Sequence, residues 1–117
     1  MIMGIGTDLC SIERLGESLE KSPNLRARIF HENERALATN SLAARFAAKE
    51  ALAKALGNPS ILSWVEIEIA KDELGKPSFI FHGRTKANLE SLGVSKVHLS
   101  LSHEREVALA MVVVESN

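Results

Sequence analysis

From Trp64 to Ala70 the chain alternates, with Val65, Ile67 and Ile69 on one face and Glu66 and Glu68 on the other. That period of two predicts a half-buried strand. Lys71 to Pro77, containing Gly75, reads as a turn, and Ser78 to His82 as the partner strand of a hairpin. A second hairpin is predicted from Val97–Ser102 and Val107–Glu115, turning at His103-Glu104-Arg105-Glu106. Met1 to Gly6 reads as a short strand that ends at Thr7-Asp8, with Gly4 and Gly6 permitting close backbone approach.

Helical patterning fills the remainder. Ser11 is the expected N-cap of a first helix running to about Lys21, and Ser22-Pro23 restarts a helical stretch that carries Arg26 and Arg28. Asn33 to Thr39 adds a turn or two, and Thr85 to Leu92 is a short helix stopped by Gly93. The clearest element is the alanine-rich Ser41 to Leu56, closed by Gly57 with Pro59 beyond it. At 100° per residue Leu42, Phe46, Ala53 and Leu56 form one apolar stripe, with Arg45 and Lys49 on or beside it and Glu50 and Lys54 flanking the other side. So few of its positions suit solvent that the helix is expected to be covered nearly all round. The element order predicts an α+β fold: a mostly antiparallel sheet packed on this long helix, all within a single domain of residues 1–117.

Composition narrows the function classes. A length of 117 residues with 45% hydrophobic and 25% charged positions suits one globular core. At 4% aromatic content that core is built from Ala, Val, Leu and Ile. The formal charge of −1 and the scarcity of stacking aromatics argue against a nucleic-acid surface. The longest apolar run, Val107 to Val114, has eight residues, too few to span a membrane. The N-terminus lacks the basic flank of a secretory signal, and the lone Cys10 fits a reducing compartment. A cytoplasmic location is therefore expected, with no membrane partner.

Candidate chemistry gathers at a few positions. Asp8, placed between a strand and a capped helix, suits either metal binding or satisfaction of helix-start amides. Glu50 and Lys54 have the spacing of a surface ion pair. Yet Arg45, Lys49, Glu50 and Lys54 are the only charges between Ser41 and Gly57, with a net of +2, on a helix otherwise suited to burial. Such charges either pair or face a cleft, and a cationic cleft beside carboxylates suits a metal-bound phosphate ester. Asp8 and Glu50 would suffice for Mg²⁺. His103, at a hairpin rim, has access to a phosphate, whereas His31, His82 and His98 read as structural or surface residues.

Four blocks then coincide: Gly4-Ile5-Gly6-Thr7-Asp8-Leu9, Arg45-Phe46-Ala47-Ala48-Lys49-Glu50-Ala51-Leu52-Ala53-Lys54-Ala55, Gly75-Lys76-Pro77 and Leu99-Ser100-Leu101-Ser102-His103. Together they resemble the holo-[acyl-carrier-protein] synthases, the short type of 4′-phosphopantetheinyl transferase, over essentially the whole chain. The resemblance implies that fold and a Mg²⁺-dependent transfer of 4′-phosphopantetheine from coenzyme A, the co-substrate, to a serine of apo-acyl carrier protein. Adenosine 3′,5′-bisphosphate would leave, and the product would support fatty acid biosynthesis.

By the same resemblance Asp8 and Glu50 are metal ligands, and Lys54 contacts the coenzyme A phosphates. Glu50 is also the candidate base, directly or through a metal-bound water. Arg45, Lys49, Gly75, Lys76, Pro77, Ser102 and His103 line the coenzyme A cleft, and Arg14 docks the carrier protein. A homotrimer is implied, its active sites between subunits, with Asp8 from one and the Glu50/Lys54 helix from the next. Two positions depart from the pattern: Glu104 follows His103, and His31 stands where Thr is common. The alternative function is a catalytically silent module that binds coenzyme A or carrier protein.

Overall fold

A ten-residue strand, Ile2–Ser11 (β1), runs without a loop into helix Ile12–Lys21 (α1), and the Ser11 hydroxyl caps that helix by accepting from the Arg14 amide at 3.2 Å. The computed structural model describes residues 1–117. A short helix, Leu25–Ile29 (α2), and turns lead to the 18-residue helix Thr39–Leu56 (α3), which ends on Gly57 in the left-handed conformation at φ 71°. Strands Ile67–Lys71 (β2) and Pro77–Phe81 (β3) form the first hairpin, and helix Gly83–Ser91 (α4) follows. Strands Val94–His103 (β4) and Val107–Ser116 (β5) close the chain.

The α+β class is as expected, but the pairing is more specific. Every strand pair is antiparallel, and the strands divide into a three-stranded sheet of order β1-β5-β4 and a separate two-stranded sheet, β2-β3. Two boundaries and one burial differ from expectation. The first strand does not end at Thr7-Asp8; nine residues of β1 pair with β5, from Ile2 opposite Glu115 to Ser11 opposite Val107, so Asp8 lies within the sheet opposite Ala110. Residues Trp64–Glu66, expected as strand, form a single 3-10 turn. Glu68, expected on the polar face of β2, is buried.

Helix α3 is covered by the three-stranded sheet, and its deepest face differs from the stripe read by periodicity. Ala43, Ala47, Ala48 and Ala51 are fully enclosed with Leu42 and Leu52, whereas Phe46, Ala53 and Leu56 are only partly covered. The reason is steric. A Cβ at Gly4 would run into the Ala55 carbonyl oxygen, and one at Gly6 into that of Ala51. Bare glycine backbone in β1 therefore lies directly on the alanine face, closer than larger residues on either side would permit. Val112, Val114, Ala108 and Ala110 of β5 complete this layer within one cluster of 17 buried residues.

The contact makes the glycines distinguishable by substitution. Gly6→Ala is expected to destabilise the fold by about 1–3 kcal/mol, because backbone on backbone has no room to yield. Gly16→Ala, in the interior of α1 with only the Thr39 methyl at 3.5 Å, is expected to stabilise it by about 0.5–1 kcal/mol. Urea unfolding midpoints of the two variants should move in opposite directions; equal shifts would refute the close-contact account.

Candidate active site

Asp8 owes its position to register. In β1 the face formed by Gly4, Gly6, Asp8 and Cys10 turns toward α3, opposite Val114, Val112, Ala110 and Ala108 of β5, which are all buried. An acid in that row meets the helix where its cover thins out near the C-terminal turns. Lys54 of α3 donates to Asp8 Oδ1 at 2.8 Å and to the Thr7 carbonyl at 3.1 Å. Two sequence readings are thereby decided: Ser11 and not Asp8 caps α1, and Lys54 reaches across to β1 instead of pairing with Glu50 along its own helix.

Glu50 lies one helical turn before Lys54 and is half-buried. Burial pushes its carboxyl above the ordinary value, the charge of Asp8 pushes the same way, and Lys54 opposes both. The thiol of Cys10 is also raised, chiefly by burial and then by the charges of Asp8 and Glu50. Two carboxylates and one partly exposed cation thus share one place, beside a depression of about 330 Å³ lined by Thr7, Asp8, Leu9, Lys54 and Leu109. The expectation that Asp8 and the Glu50/Lys54 helix come from different subunits is corrected: the three meet within one chain, because β1 lies on α3.

The donor set suits Mg²⁺. Two hard oxygen donors, incompletely neutralised by one lysine, with the charge of Asp8 disfavouring ionisation of Glu50, leave negative charge for a divalent cation to balance.

Arg45 and Lys49, expected to line a coenzyme A cleft, are directed inward. The Lys49 side chain has no exposure; its Nζ donates to Glu34 Oε1 at 2.6 Å and to the carbonyls of Ile29 at 2.9 Å and Trp64 at 3.1 Å. Arg45, also buried, donates to the carbonyls of Ile69 at 3.2 Å and Ser41 at 3.3 Å, with Glu34 Oε2 at 3.8 Å. Burial lowers the pKa of both cations, and Glu34 counters it. Their charge is consumed by a buried acid that no sequence pattern revealed, since Glu34 sits in an irregular turn with no periodicity.

The other predicted residues lie apart. Ser102 and His103 end β4 and line a small depression of about 180 Å³ with Leu9, Glu104, Val107 and Leu109, next to the Asp8 depression through Leu9 and Leu109. The Glu104 amide donates to the Val107 carbonyl at 2.9 Å, so it closes the hairpin turn and is not free for a ligand. Gly75-Lys76-Pro77 forms the exposed end of the β2-β3 hairpin, held by Asp72 Oδ1, which accepts from the amides of Leu74 and Lys76. That hairpin is anchored at the opposite end of α3, where Ile69 meets Arg45, nine residues or about 13 Å of helix from Lys54. Arg14 is exposed on α1 beside Arg105, in a depression of about 550 Å³.

Comparison with known proteins agrees in sequence and in shape. The profile of the 4′-phosphopantetheinyl transferase superfamily matches residues 4–112. The holo-[acyl-carrier-protein] synthase of Clavibacter michiganensis subsp. michiganensis is 47% identical over 117 residues, covering 100% of this chain and 98% of its own. The crystal structure of the synthase from Neisseria meningitidis superposes with a TM-score of 0.92 at 40% identity, over 99% of this chain and 100% of that one. The synthase from Bacillus anthracis, solved in complex with CoA (3′,5′-ADP), gives 0.81 at 38% identity, over 100% of this chain and 99% of that one.

The electrostatic arrangement predicts titration changes of defined sign. Asp8→Asn removes a charge that raises the Glu50 pKa and should lower it; Lys54→Ala removes the charge that lowers it and should raise it further. Carbon-detected NMR titration of the Glu50 carboxyl in each variant checks both signs, and unchanged values would show that the three groups are not coupled.

Proposed function

The chain belongs to the 4′-phosphopantetheinyl transferase superfamily, among its holo-[acyl-carrier-protein] synthases, and from that premise we propose how its own residues perform the reaction. The enzyme moves the 4′-phosphopantetheine group of coenzyme A to a serine of apo-acyl carrier protein and releases adenosine 3′,5′-bisphosphate, a step that serves fatty acid biosynthesis. The serine oxygen forms a bond to the phosphorus that carries the pantetheine arm. The bond from that phosphorus to the bridging oxygen breaks, and the serine proton is taken up by a base.

The observation that carries the assignment of roles is the union of Asp8, Glu50 and Lys54 at one place in a single chain. Asp8 and Glu50 are proposed to hold Mg²⁺, which when bound offsets charge on the pyrophosphate oxygens. Lys54, more than half exposed, keeps a cation next to the incoming phosphates. Glu50, its carboxyl raised by burial and by Asp8, is the proposed proton acceptor, since a raised pKa makes the carboxylate a stronger base. Ser102 and His103 border the same region and are proposed to contact coenzyme A, with Gly75, Lys76 and Pro77. Arg45 and Lys49 are withdrawn from ligand contact, and their part is to shape α3. Arg14, with Arg105, is the proposed docking point for the acidic carrier protein.

A homotrimer is part of the same proposal. The outer face of the three-stranded sheet exposes Ile5 (57%), Leu9 (64%), Leu109 (40%) and Met111 (43%), a contiguous apolar surface of the kind subunit contacts cover. The Gly75-Lys76-Pro77 turn, distant from Asp8 along its own chain, would then be supplied by a neighbouring copy, so that active sites lie between subunits. The chain is proposed to act as one domain in the cytoplasm; none of its helices is long and apolar enough to cross a membrane.

Intact-protein mass spectrometry tests the chemistry: apo-acyl carrier protein incubated with this protein, coenzyme A and Mg²⁺ should gain one phosphopantetheine, and EDTA should abolish the gain. Glu50→Gln and Lys54→Ala should each reduce turnover by about 100-fold or more. Coenzyme A binding without any mass gain on several folded carrier proteins would make the protein a silent binder instead. Light scattering checks the assembly: the wild type should have three times the mass of one chain, and Leu9→Glu or Met111→Glu should give monomers with little activity. A fully active monomer would refute the shared site.

A further inference from the structure

On the other side of α3, three side chains distant in sequence converge. His31 follows α2, Glu68 lies in β2, and His82 immediately precedes α4. One ligand atom from each lies within 4.8 Å of the others. Glu68 Oε1 is 2.9 Å from His82 Nε2 and 3.7 Å from His31 Nδ1, and the two imidazole rings stack at 4.6 Å with an interplanar angle of 15°. The second carboxylate oxygen, Oε2, accepts from the Asn33 side-chain amide at 3.1 Å. Burial disfavours the Glu68 anion, yet hydrogen bonds from His82 and Asn33, and then the nearby His31, outweigh it and hold the carboxyl below its ordinary value.

We propose that His31, Glu68 and His82 form a site for a borderline divalent transition metal, Zn²⁺ foremost, separate from the Asp8–Glu50 centre. Two imidazoles and one carboxylate suit Zn²⁺ and are unsuited to Mg²⁺ or Ca²⁺, which take oxygen ligands. Bonds of about 2.0–2.2 Å in a tetrahedron place donors about 3.4 Å apart, close to the present separations, which run from 2.9 Å to no more than 4.8 Å. The Asn33 amide already orients the carboxylate from behind, as partners of metal ligands do. The His82 side chain is 40% exposed, against 15% for His31 and 12% for Glu68, which leaves one open approach and room for a water as fourth ligand.

Capture of the metal exchanges existing contacts. The His82–Glu68 hydrogen bond gives way to metal bonds, and His31 Nδ1 exchanges the Asn33 backbone amide it now accepts from at 3.1 Å. The rings turn out of their stack so that their lone pairs converge. The ion would join the turn after α2, strand β2 and the start of α4. Two of these segments are already tied together by Glu34, which accepts from the amides of His31 and Ile69. The occupied site is therefore a clamp on the fold, and its effect is on stability before activity.

The test is calorimetric titration of Zn²⁺ into the full-length, chelator-treated protein without coenzyme A or carrier protein. His31→Ala and His82→Ala should each weaken binding at least about tenfold, whereas Glu50→Gln and His98→Ala should leave this site intact. The bound metal should also raise the thermal midpoint of the wild type and not of the histidine variants. Because either variant can perturb the local fold, the wild type supplies a second readout: ring resonances of His31 and His82, and not those of His98 or His103, should shift with Zn²⁺. Binding that persists when His31→Ala and His82→Ala are each combined with Glu50→Gln, ring shifts elsewhere, or no binding by the wild type would overturn the proposal.

Discussion

One buried carboxylate organises the half of the molecule opposite Asp8, Glu50 and Lys54. Glu34 has both oxygens occupied: one by Lys49 Nζ and the His31 amide, the other by the Ile69 amide, with Arg45 beyond. A charge taken out of water at such a place is tolerable only because both oxygens accept hydrogen bonds and two cations stand close by. Removing one partner of a buried ion pair costs about 3–5 kcal/mol, since the other charge is left stranded. The pair need not exceed an apolar filling in stability. What it supplies is geometry, because turn 31–34, strand β2 and helix α3 must each stand in one place for the donors to meet.

That constraint separates two uses of charge along one helix. Lys49 and Glu50 are consecutive in sequence, but a step of about 100° sends them to different sides of α3. Lys49 turns toward Glu34 and is sealed in; Glu50 turns toward Asp8 and keeps access to water. The first group fixes the helix, and the fixed helix holds the second group and Lys54 against β1. Close contact between the bare glycines of β1 and the alanine face of α3 does the rest, bringing Asp8 to 2.8 Å from Lys54 without any flexible segment between them.

The same economy of small residues bears on assembly. A sheet covered on one face by an alanine helix has its other face free, and there the chain places Ile5, Leu9, Leu109 and Met111 instead of charges. In β1 Asp8 faces the helix while Ile5 and Leu9 face outward, so strand alternation places the acid and the exposed apolar residues on opposite faces of one strand.

How much of this the sequence contained depends on the range of each interaction. Local signals held: the Ser11 cap, the helix ending at Gly57, the two hairpins and the α+β order all follow from propensity, turn chemistry and periodicity within a few residues. The blocks around Asp8, Glu50 and Lys54 likewise marked the family and three residues that the fold brings together. Long-range pairing was not legible. That β1 continues to Ser11 depends on β5, a hundred residues away; that Lys54 reaches Asp8 and not Glu50 depends on glycine-to-alanine contact between two elements; that Arg45 and Lys49 face inward depends on Glu34, a residue in a patternless turn. The cluster of His31, Glu68 and His82 was hidden for the same reason, since each residue alone has the features of a surface position. Composition and local pattern determined which elements form and which residues carry charge, while only the tertiary structure decided which charges neutralise one another, because burial and Coulomb energy depend on distances that spacing along the chain does not encode.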